Sequence, residues 1–270
     1  MVQVIDPYSG LNFTELSHVW GHGAPSLPGI ADTVMYRSVK HGQHGVMTHR
    51  LKMSMHTGTH INAPIHLIQR GVGCGDIPLE SIFGNGVILS IPKKRWEIIS
   101  VRDLENAALM PQPGDFVVIV TGWHHKYADS LEYFGESPGL APDAAEWLVS
   151  RGVQLVGVDT PQVDHPLSTS LGNHRNGPAM NRLVDKYQTE TGRDAATDFP
   201  SWNPAHKILL AANIPTIEQV GGDVDDLLNK RATFQAAPWN WKHGDACPVR
   251  FVAITDSTGD FRIDSGEEKD

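Results

Sequence analysis

The chain has 270 residues, with 22 Lys and Arg against 31 Asp and Glu for a formal net charge of −9, 40% hydrophobic and 20% charged. That is the composition of a globular chain able to bury one substantial core; it excludes a disordered, collagenous or coiled-coil protein, and the acidic balance offers nothing to a phosphate backbone or an anionic lipid surface. Apolar runs such as 116–120 and 208–212 fall far short of the roughly 20 residues a bilayer-spanning helix needs, and the first residues lack the basic-then-apolar order of a secretion signal. Two cysteines, Cys74 and Cys247, cannot build a disulfide framework. Neither nucleic acid nor membrane is expected as a partner, and a cytoplasmic location is expected.

Along the chain, residues 47–55 alternate between Met47, His49, Leu51, Met53, Met55 and polar neighbours, which predicts a strand with one buried face. The Val- and Ile-rich runs 86–91, 116–121 and 154–159, bounded by Gly or Pro, predict buried strands. Ser100 and Asp103 have the spacing of a capping box that opens a helix through about Leu109. Residues 142–151 predict a helix with Pro142 in its first turn and Gly152 just past its end. Strand, helix, strand implies a crossover and a mixed α/β fold. The stretch 164–203 is long and irregular around one short helix near 179–191, so its part 165–203 is expected to be a lid or a substrate-specificity insertion. Asn203-Pro204 then opens a helix to Ala212, and the polar tail 260–270 is expected to fray. No linker or repeat divides the chain, which predicts a single domain over 1–270.

Fourteen histidines need an explanation. Their densest grouping is His56-Thr57-Gly58-Thr59-His60-Ile61-Asn62-Ala63-Pro64-Ile65-His66. Gly58, two threonines and Pro64 disfavour a helix. An extended segment would instead place His56, His60, Asn62 and His66 on one side, where imidazoles and an amide oxygen could share a divalent metal. Surface or hydrogen-bonded histidines on a polar strand are the competing reading, and spacing alone does not name a metal.

This segment resembles the signature His-x-Gly-Thr-His-x-Asp-x-Pro-x-His of the cyclase family of metal-dependent hydrolases, which includes kynurenine formamidases and isatin hydrolases. Leu16-Ser17-His18, Asp76-Ile77-Pro78-Leu79-Glu80, Thr121-Gly122-Trp123, Gly157-Val158-Asp159-Thr160-Pro161 and Ile217-Glu218 are similar to further family landmarks, in order along most of the chain. The resemblance implies an α/β fold with a mixed sheet or flattened barrel surrounded by helices. It implies metal binding by His56, His60 and position 62, with His206 and Glu218, twelve residues apart, completing the ligand set. It also implies proton transfer by His66. Asn62 departs from the family's Asp: an amide offers a neutral oxygen where a carboxylate would bridge and cancel charge. One ion, or a weak second one, is therefore expected, with zinc and manganese both suited to such ligands.

The expected chemistry is hydrolysis of an amide, formamide or cyclic amide C–N bond by a metal-activated water, with lactone hydrolysis by the same mechanism as an alternative. A non-catalytic metal or small-molecule binding protein is the rival from another class. Trp123, His174 and Trp202 are the candidate substrate-binding residues. The expected partners are a small-molecule substrate and further copies of the chain, in a homodimer or higher homo-oligomer.

Overall fold

The Val- and Ile-rich runs become strands of one sheet, in a computed structural model that describes residues 4–172, 174 and 182–256. In chain order the first half comprises β1 (Val4–Ile5), β2 (Leu11–Glu15), β3 (Val34–Val39), α1 (His41–His44), β4 (Thr48–Lys52), β5 (His60–Asn62), β6 (Phe83–Ser90), β7 (Ile98–Ile99), α2 (Val101–Glu105) and β8 (Phe116–Val120). It continues with α3 (Leu131–Gly135), β9 (Gly139–Leu140), α4 (Pro142–Ser150), β10 (Leu155–Val158), α5 (Leu183–Thr191), α6 (Ala195–Asp198), α7 (Pro204–Ala211), β11 (Thr216–Glu218), β12 (Lys230–Gln235), β13 (Ala246–Pro248) and β14 (Val252–Asp256).

Ten strands form a sheet in the order β1-β2-β14-β12-β6-β8-β10-β11-β5-β13. Its middle, β6 to β11, is parallel, and both flanks are antiparallel. The fold is thus α/β with a mixed sheet that is open, β1 and β13 forming its two ends. Pairing of β14 with β2 joins the two extremes of the described chain in one sheet.

Every residue of β8 is buried, and alternate side chains enter two different cores. Phe116, Val118 and Val120 pack with Ile88, Leu155 and Ile217 on one face. Val117 and Ile119 pack with Val87, Leu89, Val156 and Val158 on the other, beneath Ala144, Ala145 and Leu148 of α4 and Ala205 and Leu209 of α7. Strand β6 approaches β8 so closely that a Cβ on Gly86 would lie 2.0 Å from the Phe116 carbonyl oxygen, which only glycine permits. A third, aromatic cluster gathers Trp96, Trp123, Tyr133, Phe134, Tyr187 and Phe199.

The predicted strands 86–91, 116–121 and 154–159 and the helices at 142–151 and 203–212 match β6, β8, β10, α4 and α7 within a few residues. Three expectations need correction. Strand β4 covers only Thr48–Lys52 and pairs with β3 alone, so both of its faces are exposed rather than one being buried. Helix α2 stops at Glu105 instead of about Leu109, because the chain leaves helical geometry at Asn106. The histidine segment is not one extended strand: Gly58, at φ +66°, turns the chain before β5, and Pro64 starts a 3-10 turn through His66.

Of the predicted helix near 179–191, residues 183–191 form α5, whereas 175–181 lie outside the described residues, as does the tail 260–270. The described part of 165–203 buries Leu167, Leu171, Leu183, Tyr187 and Phe199 in the aromatic cluster. No helix among the described residues is long and apolar enough to cross a membrane.

Candidate metal centre

Sheet register places the chemistry. Short strand β5 lies between β11 and β13, so His60 sits directly across from Glu218 and Asn62 directly across from Thr216. Facing residues on neighbouring antiparallel strands have Cβ atoms about 5 Å apart, which by itself brings this imidazole to this carboxylate. Helix α7 delivers His206 from its first turn. That turn is anchored by the buried carboxylate of Asp164, which accepts hydrogen bonds from the backbone N–H groups of Ala205 (2.9 Å) and His206 (3.0 Å). The Gly58 turn swings His56 back beside the same strand, and a Cβ at Gly58 would meet Trp20 Cδ1 at 2.8 Å.

His56, His60, His66, His206 and Glu218 line one cavity of about 90 Å³, together with Asp164, Asn203 and the apolar Leu27 and Ile30. The His66 ring centroid is 4.3 Å from that of His56 and 5.6 Å from that of His206. His60 Nδ1 lies 2.7 Å from the Gly58 carbonyl oxygen, so that nitrogen carries the proton and donates it. Its Nε2 is buried and 3.2 Å from Glu218 Oε2. The approach brings the two together without hydrogen-bond alignment, and His60 Nε2 has no hydrogen-bond partner among the described residues; neither does the buried Asn62 Oδ1.

A buried imidazole nitrogen this close to a carboxylate yet without an aligned hydrogen bond is costly to leave unpaired, and a cation in the gap would satisfy both groups. The donor set of imidazole nitrogens, an amide oxygen and one carboxylate fits a divalent ion of borderline softness.

His206 is turned toward the same carboxylate: its Nε2 is 2.8 Å from Thr216 Oγ1 and its Nδ1 3.7 Å from Glu218 Oε1. Glu218 Oε1 also accepts the Val163 N–H at 2.9 Å. Burial alone would raise the Glu218 carboxyl, but His60 and His206 outweigh it and hold it at about 2. Burial pushes His206 down to about 4 and, aided by His56 and His206, His66 down to about 3. Near neutral pH His66 and His206 are therefore neutral and Glu218 is ionised, the forms in which these groups ligate cations. Asp164 goes the other way, raised by burial to about 7.

Of the residues picked from sequence, His56, His60, His66, His206 and Glu218 meet at the cavity, with Asn62 next to them through Thr216, 3.4 Å from its Nδ2. Three others stand elsewhere. Trp123 is buried in the aromatic cluster and donates Nε1–H to the Tyr133 carbonyl at 2.9 Å. His174 Nε2 pairs with the Phe199 carbonyl at 3.0 Å. Trp202 lies under Lys207 Nζ, 4.3 Å from the ring centroid. None of these three lines the histidine cavity.

Sequence reasoning missed Asp245, whose Oδ2 is 3.0 Å from His56 Nε2. Its contact with His56, opposed by partial burial, holds its carboxyl at about 2. The ligand atoms of His56, His66 and Asp245 lie within 4.8 Å of one another. No local pattern marks Asp245; only the pairing of β13 with β5, continued by the Ala63 N–H bond to the Asp245 carbonyl, carries it there.

Residues 14–165, more than half of the chain, match the family described as putative cyclase. A kynurenine formamidase of Paracidovorax citrulli (strain AAC00-1) is 35% identical over 129 residues, 46% of this chain, which spans 57% of that relative's length. One from Salinibacter ruber (strain DSM 13855 / M31) is 31% identical over 192 residues, covering 70% of this chain and 79% of the relative. Among solved structures, an isatin hydrolase bound to the product analogue thioisatinate superposes with a TM-score of 0.72 at 18% identity, over 92% of this chain and 93% of that one, a likeness of fold. With the family signature falling on the cavity-lining histidines and a relative matched over most of its length, the chain belongs to the putative cyclase family.

Proposed function

We propose that this protein is a metal-dependent hydrolase that opens an amide, formamide or cyclic amide C–N bond with water. The observation that carries this reading is the convergence of four imidazoles and Glu218 on one cavity, with the buried His60 Nε2 and Asn62 Oδ1 left without hydrogen-bond partners among the described residues. Kinship with kynurenine formamidases, and the fold shared with an isatin hydrolase, support the choice of a non-peptide C–N bond.

His60, His206, Glu218, Asn62 and His56 would hold the cation, zinc or manganese. When bound, such a cation lowers the pKa of water from about 16 toward about 7 and polarises a carbonyl. The chain's own groups do the rest. His66, neutral and on the cavity wall, accepts the proton of the attacking water as its oxygen joins the carbonyl carbon. It then returns that proton to the nitrogen as the C–N bond breaks. Glu218 supplies a fixed negative charge, and Asp245 holds His56 in place. About 90 Å³ accommodates the reacting group rather than a whole substrate, against the roughly 300 Å³ or more of an ordinary ligand pocket. Segment 165–203 is our candidate for a lid that encloses the remainder of the molecule.

A lactone would be opened by the same groups, because attack on its carbonyl makes the same demands. Purified protein, assayed with and without metal on an aryl formamide, isatin and a lactone, distinguishes these outcomes. His66→Ala is expected to abolish turnover while metal content stays at the wild-type level; loss of metal instead would make His66 a ligand. Stoichiometric metal with no turnover on any substrate, and activity gained on Asn62→Asp, would refute the hydrolase reading and leave a binding protein.

A further inference from the structure

A second group of ligand atoms stands apart from the histidine cavity. Strand β8 ends in the turn Thr121-Gly122, after which a 3-10 turn, Trp123–Lys126, presents His124 and His125 side by side, with ring centroids 4.0 Å apart. Opposite them, the 3-10 turn Val224–Leu227 presents Asp225. Its Oδ2 lies 3.3 Å from His124 Nε2 and 2.7 Å from His125 Nε2. All three ligand atoms fall within 4.8 Å of one another.

His124 is the fixed member. It is buried, and its Nδ1 lies 3.0 Å from Oδ2 of the fully buried Asp159. Asp159 also takes the Thr121 N–H, the Thr121 hydroxyl and the Gly122 N–H, at 3.0, 2.7 and 2.9 Å. A carboxylate bound to so many donors acts as an acceptor, so His124 Nδ1 is its proton donor. In its neutral form the ring would direct its Nε2 lone pair toward Asp225. This is the carboxylate–histidine arrangement that orients an imidazole for a metal. Without a cation, both Nε2 atoms need a proton to bond the single Asp225 oxygen, and His124 must be an imidazolium.

We propose that His124 Nε2, His125 Nε2 and the Asp225 carboxylate form a three-ligand site for a divalent transition-metal cation of the zinc class, distinct from the histidine cavity and completed by water. Ligand atoms around a tetrahedral zinc stand about 3.3 Å apart, from metal–ligand distances near 2.0–2.1 Å. The His124–Asp225 separation already has this value. The His125–Asp225 contact has to open by about half an ångström, and both side chains are free to do so, being 63% and 49% exposed. The bound ion would tie the turn after β8 to the one that follows β11, the strand carrying Glu218.

The test is a count. Chelator-stripped full-length protein is equilibrated with micromolar free zinc, and bound metal per chain is measured for wild type and for the double variant H125A/D225N, whose changes are exposed and leave the Asp159–His124 pair intact. The wild type is expected to retain one equivalent more than the variant, and to gain more thermal stability from zinc. Equal equivalents in the two proteins would overturn the proposal, whatever the number.

Discussion

Asn62→Asp tests whether position 62 faces a cation. The side chain is fully buried, its Nδ2–Thr216 Oγ1 contact is long at 3.4 Å, and its Oδ1 has no hydrogen-bond partner among the described residues. Exchanging amide for carboxylate thus sacrifices a weak hydrogen bond, under about 1 kcal/mol. It also adds a buried negative charge on the face of the sheet that already carries Glu218, because Thr216 and Glu218 are two residues apart on β11. An uncompensated buried charge costs about 3–5 kcal/mol; since this carboxyl can take up a proton, the lower end applies, about 3 kcal/mol. For a chain of this size that lowers Tm by roughly 6–12 °C in chelator, at about 2–4 °C per kcal/mol.

A bound divalent cation reverses the sign. Free ion at about 100 times Kd stabilises wild type by about 2.7 kcal/mol, and each tenfold gain in affinity from the new carboxylate adds about 1.4 kcal/mol. Thermal unfolding of both proteins in chelator and in saturating zinc or manganese reads both effects. The variant is expected to melt lower than wild type without metal and to show the larger metal-induced rise. Equal melting in chelator together with equal metal shifts would refute the placement of residue 62 at the ion.

Asp245→Asn removes the carboxylate that orients His56 and is expected to weaken metal binding by about 10–100-fold, measured by competition with a chromophoric chelator; unchanged affinity would show that His56 is held by other contacts. Asp103 closes the capping box of α2, with Oδ2 2.7 Å from the Ser100 backbone nitrogen and Oδ1 2.8 Å from Lys93 Nζ. Partial burial raises its carboxyl, but the bonds from Lys93 and Ser100 prevail and lower it below the ordinary 3.8. A lowered carboxyl stabilises the fold above its unfolded value, and that contribution is lost as pH falls through the folded one. Asp103→Asn should therefore cost about 1 kcal/mol at neutral pH, with denaturant curves of variant and wild type converging as pH falls through the lowered folded value; a gap that persists in strong acid would refute the assignment.

Much of the cavity is legible in the sequence because the residues that line it lie in a dense motif or at a telling spacing: His56, His60 and His66 within eleven residues, His206 and Glu218 twelve apart. Period-two alternation accounts for only part of this grouping. Only His60–Asn62 is strand, and it is the Gly58 turn and the Pro64 turn that return His56 and His66 to the cavity. Asp245 was illegible because its proximity exists only after β13 pairs with β5, 189 residues from His56. The strand at β4 misled for the opposite reason: its alternation is real, yet within one chain nothing covers either face among the described residues. Trp123 is a candidate for either a pocket or the core by sequence, and its indole N–H reaches a buried carbonyl within the aromatic cluster.

The position of β5 has a consequence for biosynthesis. Its residues leave the ribosome early, but its two neighbours, β11 and β13, are not complete until residues 218 and 248. At about 5–20 residues per second, the nascent polypeptide carries both edges of this strand unpaired for roughly 8–30 seconds, and one edge for a few seconds more. During that interval the histidine cavity is unfinished and the histidine-rich stretch is open to chaperones.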